Sequence, residues 1–348
     1  MVSEPRLAMA GLQTIPLPSA VLLRRGAVEV KITGTGAGEV VRVLLSAFAP
    51  PGATPGEVCA RFPERDRPAV RNLVDELRQR RLLLPEDVVA EPEDVDAARR
   101  DVFHWHFGQQ EDTVRGSLSS RRITVIGVNA VSARLLPALS AAGAANVELI
   151  DFPQLRNIAL RPEDVSTGQA AEAGPDWLEG ADADTVGCVV ATSDFGPVPG
   201  LRLWNRFCAE RRIPFLPVVL DNLIGTVGPL FLLGETPCYE CLRARADSHV
   251  DDLQARREIE NAAFEGQRFA ALHPAAATIL AELSAVELTR WFGGGRPLTR
   301  QAGTLVEVTM AEPAVVTRKV LRVPHCPVCG PATTHSASTV WLTEVDPR

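Results

Sequence analysis

Two Cys-x-x-Cys pairs, Cys238/Cys241 and Cys326/Cys329, constrain this chain more than any other feature. Two thiolates at that spacing can bite one tetrahedral ion, and a second pair completes a four-sulfur shell. Residues 242–325, 84 in all, lie between the pairs. The fold must therefore bring its last segment back onto a point passed long before. Four sulfurs leave no position for water, so the expected ion is a structural zinc. His325 could replace one thiolate, although the paired sulfurs are the simpler set. Cys59, Cys188 and Cys208 stand alone and read as small buried hydrophobes. In a reducing compartment none of the cysteines need form a disulfide.

The chain has 348 residues, more than one core usually serves, so two domains are the natural expectation. Its 46% hydrophobic content is enough for a sizeable core. A formal net charge of -7 argues against nucleic acid as the general partner. No apolar run is long enough for a membrane span. Met1 to Leu12 carries Glu4, Pro5 and Arg6 where a secretory signal would be apolar. These points predict a cytoplasmic protein.

Residues 1–88 read as a separate small unit. Ala20 to Arg25 and Ala27 to Thr33 look like strands, with Val28, Val30 and Ile32 alternating with Glu29 and Lys31. Arg24-Arg25-Gly26 would turn them into a hairpin. Val41, Leu44, Leu45 and Phe48 form a helical stripe that Pro50-Pro51-Gly52 ends. Thr54 and Glu57 make a capping box, and Val70, Leu73, Val74 and Leu77 mark a helix over about 67–81. The sum is a winged-helix shape. Such units usually read DNA through a basic helix, and Arg67, Arg71, Arg78, Arg80 and Arg81 face only Asp75 and Glu76 here. The same residues would also suit an ordinary solvated face. A third reading is a groove between the hairpin edge and this helix, where a peptide adds as a strand. Its candidate contacts are Val28, Val30, Ile32, Val70, Arg71, Val74 and Arg78.

Residues 89–120 are first acidic, then aromatic at Phe103, Trp105 and Phe107, and read as a connector partly packed on the domain after it. His104 and His106 read as half-buried spacers, with no second ligand cluster near them. From 121 to 348 the pattern is α/β. Ile123 to Ile126, a turn, a helix over Ala133 to Ala142, and Val147 to Ile150 ending in Asp151 open a Rossmann-like sheet. Further strands are expected at Val186–Ala191, Phe215–Leu220, Thr226–Leu233, Leu305–Met310 and Ala314–Leu321.

The turn after the first of these strands departs from a phosphate cradle. The G-x-G-x-x-G frame reads Gly127-x-Asn129-x-x-Ser132. Asn129 adds a side chain where a phosphate would lie, even if it takes the left-handed conformation, and Ser132 thickens the helix–strand contact. Asp151 stands where a ribose-binding carboxylate belongs.

Several stretches together resemble the ThiF-like, ubiquitin-activating-type adenylation fold. They are Ile150-Asp151-Phe152 followed by Asn157, Val190-Ala191-Thr192-Ser193-Asp194, Gly228-Pro229-Leu230 and Thr236-Pro237-Cys238-Tyr239-Glu240-Cys241-Leu242. The closing Cys326/Cys329 knuckle fits as well. The resemblance covers roughly residues 120–330. Pro5-Arg6-Leu7, the hairpin and Leu77-Arg78-Gln79-Arg80-Arg81-Leu82-Leu83 are similar to the PqqD-like RiPP recognition element, which binds leader peptides. In this order the halves look like the leader-binding, ThiF-like partner proteins of azoline- and azole-forming clusters.

The resemblance implies a homodimer, a precursor leader peptide as ligand and a YcaO-type cyclodehydratase as the partner that does the ATP chemistry. Gly127, Asn129, Ser132, Asp151, Asn157, Arg161 and Asp194 would then be a degenerate nucleotide site, with no catalytic residue assigned. Active relatives carry a second carboxylate where Pro153 stands, and a lysine whose nearest counterparts here are Arg161 and Gln169. Each lost charge-assisted contact removes about 1.5–3 kcal/mol, so ATP and magnesium are not expected. The rival expectations are ATP-dependent adenylation of a peptide carboxylate, and nicotinamide redox chemistry, for which no hydride-transfer pair is evident.

Overall fold

The computed structural model describes residues 4–9, 11–89, 94–157, 159–161, 165, 171–172, 180–182, 184–268, 270–294 and 303–330. Gln169 and residues 331–348 lie outside the described residues. The chain divides into two compact units, residues 1–114 and 115–348.

In the first unit β2 (Gln13–Leu17), β3 (Ala20–Arg25) and β4 (Val28–Thr33) form an antiparallel meander in that order, after a short β1 (Leu7–Ala8). The turn before β4 falls at Gly26-Ala27, one residue later than the sequence suggests, because Gly26 supplies the positive φ of 58°. The strand β2 has no sequence signature: all five residues are exposed, so no alternation marks it. Helices α1 (Ala37–Ala47), α2 (Pro55–Cys59) and α3 (Arg67–Gln79) come next, and β5 (Leu84–Pro85) pairs with β1. Thr54 and Glu57 make the expected reciprocal cap on α2. Val41 and Leu44 of α1 and Val70, Val74 and Leu77 of α3 meet Leu23 and Val30 in one core. Trp105, on α4 (Val95–His106), is buried in that same core, and its indole N–H donates to Arg81 O at 2.9 Å. The division into units therefore falls within the expected connector. His104 is buried beside Glu111 at 2.9 Å, where burial lowers its pKa.

The second unit is built on an eight-stranded sheet. Its strands are β6 (Arg122–Ile126), β7 (Asn146–Asp151), β8 (Ala171–Glu172), β9 (Cys188–Ser193), β10 (Phe215–Asp221), β11 (Ile224–Val227), β12 (Thr304–Thr309) and β13 (Ala314–Lys319). The order is β13-β12-β11-β10-β9-β6-β7-β8, parallel from β10 to β8 and antiparallel beyond. Every residue of β9 is buried, as a parallel strand covered on both faces requires. The other helices are α5 (Glu111–Ser120), α6 (Ala130–Ala141), α7 (Pro199–Glu210), α8 (Tyr239–Asp247), α9 (Leu253–Phe264) and α10 (Pro274–Phe292). Leu280 of α10 packs directly on Gly225, where a Cβ would lie 2.7 Å from its methyl carbons.

The strand expected over Thr226–Leu233 ends at Val227, since Pro229 has no N–H for the ladder; Phe231 alone bridges back to Phe215. Strand order reverses between β6 and β9, so the crevice beyond their carboxyl ends is the natural ligand position of such a sheet. Among the described residues no helix is long and apolar enough to cross a membrane.

Candidate functional site

The crevice at the ends of β6 and β9 opens on the turn Gly127-Val128-Asn129. Gly127 has φ 103°, and a Cβ there would lie 2.8 Å from Thr192 O, so glycine is obligatory. Asn129 does not take the left-handed conformation open to its residue type. It is extended, fully buried, and the N-cap of α6. Its Oδ1 accepts the N–H groups of Val131 (3.1 Å) and Ser132 (3.2 Å). Its Nδ2 donates to Thr192 O, Thr192 Oγ1 and Leu155 O at 2.9–3.2 Å. The Ser132 hydroxyl lies 3.0 Å from Asn129 N, closing a capping box.

Asp194 completes the pattern. The Ala130 N–H donates to its Oδ2 at 2.8 Å, and the Asn157 amide donates to both carboxylate oxygens at 2.9–3.0 Å. The N–H groups of residues 130, 131 and 132, which a helix N-terminus would offer an anion, are thus all taken by the chain's own oxygens. Asp194 is 2% exposed, and burial raises its carboxyl pKa against the pull of these donors.

Asp151, at the end of β7, is held by Arg156, whose Nε donates at 2.9 Å and whose Nη2 reaches the other oxygen. Arg268 caps the carbonyls of Arg156, Ala263 and Phe264 and lies over the Phe195 ring. Burial and the neighbouring Arg156 charge lower its pKa. Of the predicted residues, Gly127, Asn129, Ser132, Asn157 and Asp194 converge here. Asp151 is engaged with Arg156, and Arg161 is exposed. Sequence reasoning missed Arg156 and Arg268. Arg156 lies five residues past Asp151, close enough to have been weighed; Arg268 had no local signal.

The four cysteines come together as expected. Their sulfurs all lie within 4.8 Å of one another, in a buried cluster. Cys238 to Cys326 is 3.6 Å, Cys241 to Cys329 is 3.4 Å and Cys238 to Cys241 is 3.9 Å. A zinc tetrahedron with bonds of about 2.3 Å has edges of about 3.8 Å, so the set fits that ion. Cys238 caps α8 and Cys241 lies in its first turn. The Val323 N–H points at the Cys241 sulfur from 3.3 Å. His325 is exposed and outside the cluster, which leaves the paired thiols as the donor set. A Cβ on Gly330 would come 2.5 Å from Cys326 O, so the second knuckle needs glycine there. Arg245 reaches the carbonyls of Leu321 (2.6 Å) and Arg322 (2.9 Å), tying the returning segment to α8.

In the first unit β4 is an edge strand, with α3 in the same core. Val30, Val70 and Val74 correct the expectation of a contact surface: they are buried in the unit's own core, because the stripe that makes α3 amphipathic is the one that packs. Val28 and Ile32 are half-buried, and Arg78 is exposed. Arg71 is paired with Glu4. Arg80 likewise lies on Glu76 and Arg67 on Phe62 O.

No protein-family model matches the chain. No curated protein matches it by sequence. Solved structures do match. The crystal structure of E. coli MccB with AMPCPP and selenomethionine MccA superposes with a TM-score of 0.66 at 17% identity, over 93% of this chain and 99% of that one. The microcin C7 biosynthetic enzyme MccB in complex with N-formylated MccA gives 0.66 at 18% identity, over 93% and 99%. The heterocyclase TruD gives 0.62 at 19% identity, over 94% of this chain and 43% of that one. The chain is thus similar in fold to MccB and to part of TruD.

Proposed function

We propose that this protein is a ThiF-like, leader-peptide-binding partner in the biosynthesis of a ribosomally made peptide. It would deliver the precursor to a YcaO-type cyclodehydratase that forms azolines, without adenylating anything itself. The first unit, read as a PqqD-like winged helix, would hold the leader at the edge of β4. The observation that carries this reading is the closed helix N-terminus: Asn129 Oδ1 and the Asp194 carboxylate occupy the N–H groups a triphosphate would need. A carboxylate at that point also repels phosphate. Likeness to MccB, crystallised with the MccA peptide, and to the heterocyclase TruD supports peptide handling. A homodimer in the cytoplasm is part of the same proposal.

The test uses the purified full-length chain. It should bind the leader of a precursor encoded beside it, accelerate the neighbouring cyclodehydratase, and show neither pyrophosphate exchange nor ATP turnover alone. ATP turnover by the chain alone would favour a second reading, adenylation of a peptide carboxylate. In that alternative Asp151, Asn157, Arg161 and Asp194 would serve nucleotide and magnesium; it draws on Asn157 and Asp194 meeting at the crevice and on likeness to the MccB structure with ATP.

A further inference from the structure

The three-stranded sheet of the first unit has two edges, β2 and β4, and they differ in what they offer another strand. Leu17 and Ala20 flank the two-residue turn between β2 and β3, and Arg25 and Val28 flank the turn between β3 and β4. Residues flanking such a turn exchange both ladder hydrogen bonds, and the pattern then alternates along the strands. Thr14 and Pro16 therefore point their backbone groups outward from β2, and Glu29, Lys31 and Thr33 do so from β4. Pro16 has no N–H, so the β2 edge is blunted. The β4 edge keeps a donor and an acceptor at each outward residue.

One of those acceptors already has a cation beside it. Arg80 Nη1 lies 3.5 Å from Glu29 O, while its Nε donates to Glu76 at 2.5 Å on the last turns of α3. No other hydrogen bond reaches the outward backbone groups of Glu29, Lys31 and Thr33 among the described residues. The Glu29 side chain is paired with Arg24 at 3.4 Å, and Lys31 is exposed on the same strand, so Arg80, Arg24 and Lys31 put cationic groups along this edge.

We propose that Arg80 is a specificity-determining residue of this edge, selecting an extended peptide that carries a carboxylate opposite Glu29. The inference rests on the peptide-recognition reading above and names the chemistry of its ligand. An incoming strand donates its own N–H to Glu29 O and displaces the long Arg80 contact. The guanidinium, still tethered by Glu76, stays at the rim, where its freed N–H groups meet a side chain of the new strand. A carboxylate there gains a charge-assisted bond, and a lysine is repelled.

The test pans a phage-displayed random dodecapeptide library on the full-length protein and on Arg80→Ala and Arg80→Glu. The unmodified protein should enrich Asp or Glu at one fixed position of an apolar-alternating segment. Arg80→Ala should lose that preference, and Arg80→Glu should turn it to Lys or Arg. A synthetic peptide from the first pool should weaken about fivefold on the unmodified protein when its carboxylate becomes an amide, and not at all on Arg80→Ala. The same acidic preference in all three proteins overturns the role of Arg80 and leaves the edge standing. Amide hydrogen exchange of the unmodified complex tests the edge itself. Protection of Glu29, Lys31 and Thr33 is expected. A bound peptide that protects none of them, or a library that yields no binder, overturns the edge reading and the Arg80 assignment with it.

Discussion

The Asp194 carboxylate accepts the Ala130 N–H at 2.8 Å, so an aspartate sits where an anion would meet the start of α6. Its charge is welcome to the helix dipole and unwelcome to its surroundings, which bury it almost completely. Burial is the larger effect and raises its pKa.

That balance sets a pH dependence. The unfolded chain releases this proton near the ordinary aspartate value of about 3.9. The folded chain holds it to a higher pH. Across the window from about 3.9 upward the native state binds more protons, so this group's contribution to stability falls as pH rises through the window. Asp194→Asn removes the titration. Urea unfolding from pH 3 to pH 7 should show the wild-type stability declining relative to Asp194→Asn across that window, and a gap that does not change with pH would contradict it.

Asn129 is the second plug. Its replacement by alanine removes the cap of α6 and strands the N–H groups of Val131 and Ser132 and the carbonyl of Leu155 inside the protein. A lost cap costs about 1 kcal/mol, and buried polar groups left unpaired add about 1–3 kcal/mol. Asn129→Ala should therefore lose about 2–4 kcal/mol in a denaturant titration. An unchanged midpoint would mean that the side chain holds nothing in place.

How far the sequence reached depends on how local each cause is. The cysteine knuckles and the Thr54/Glu57 cap are written in spacings of three residues, and both appear as expected. Gly127 and Asp194 could be placed at strand ends because buried runs precede them. The internal bonding of Asn129 to Thr192 joins residues 63 apart, and Arg268 reaches Arg156 across 112 residues, so neither pairing has a local sequence signature. Trp105 comes after an acidic stretch yet packs backwards into the first core, a choice decided by a partner carbonyl on Arg81. The β2 strand escaped notice because an all-exposed strand shows no alternation.

The helix α8, which carries Cys241, also carries part of a buried ionic network. Arg243, 5% exposed, pairs with Glu260 and with Asp247 at 3.3 Å, and Arg202 joins Glu240 at 2.7 Å. Breaking a buried pair costs up to about 3–5 kcal/mol, and removing Glu260 leaves Arg243 with only its longer contact to Asp247. Glu260→Ala should lose part of that, about 2–3 kcal/mol with Asp247 still in place, whereas Glu260→Gln, which keeps an acceptor for Arg243, should lose less. Thermal unfolding of the two variants measures the difference, and equal losses would point to packing rather than charge.

The zinc prediction rests on the geometry of four buried sulfurs. Burial raises the thiol pKa of Cys238, and that of Cys329 to about 11, so without a cation these groups stay protonated and offer little to the fold. A bound dication reverses this by holding thiolates, and its binding free energy becomes stability of the segment that returns to α8. Metal analysis of the purified protein should find one zinc per chain. Prolonged chelation, or Cys326→Ser, should release it and lower the unfolding temperature, with proteolysis starting near residues 320–330, where the chain is anchored by the knuckle and Arg245. Less zinc is lost at pH 7 than at pH 5, since protons compete for the sulfurs. Full stability in metal-free protein would show that the four cysteines pack as hydrophobes and hold no ion.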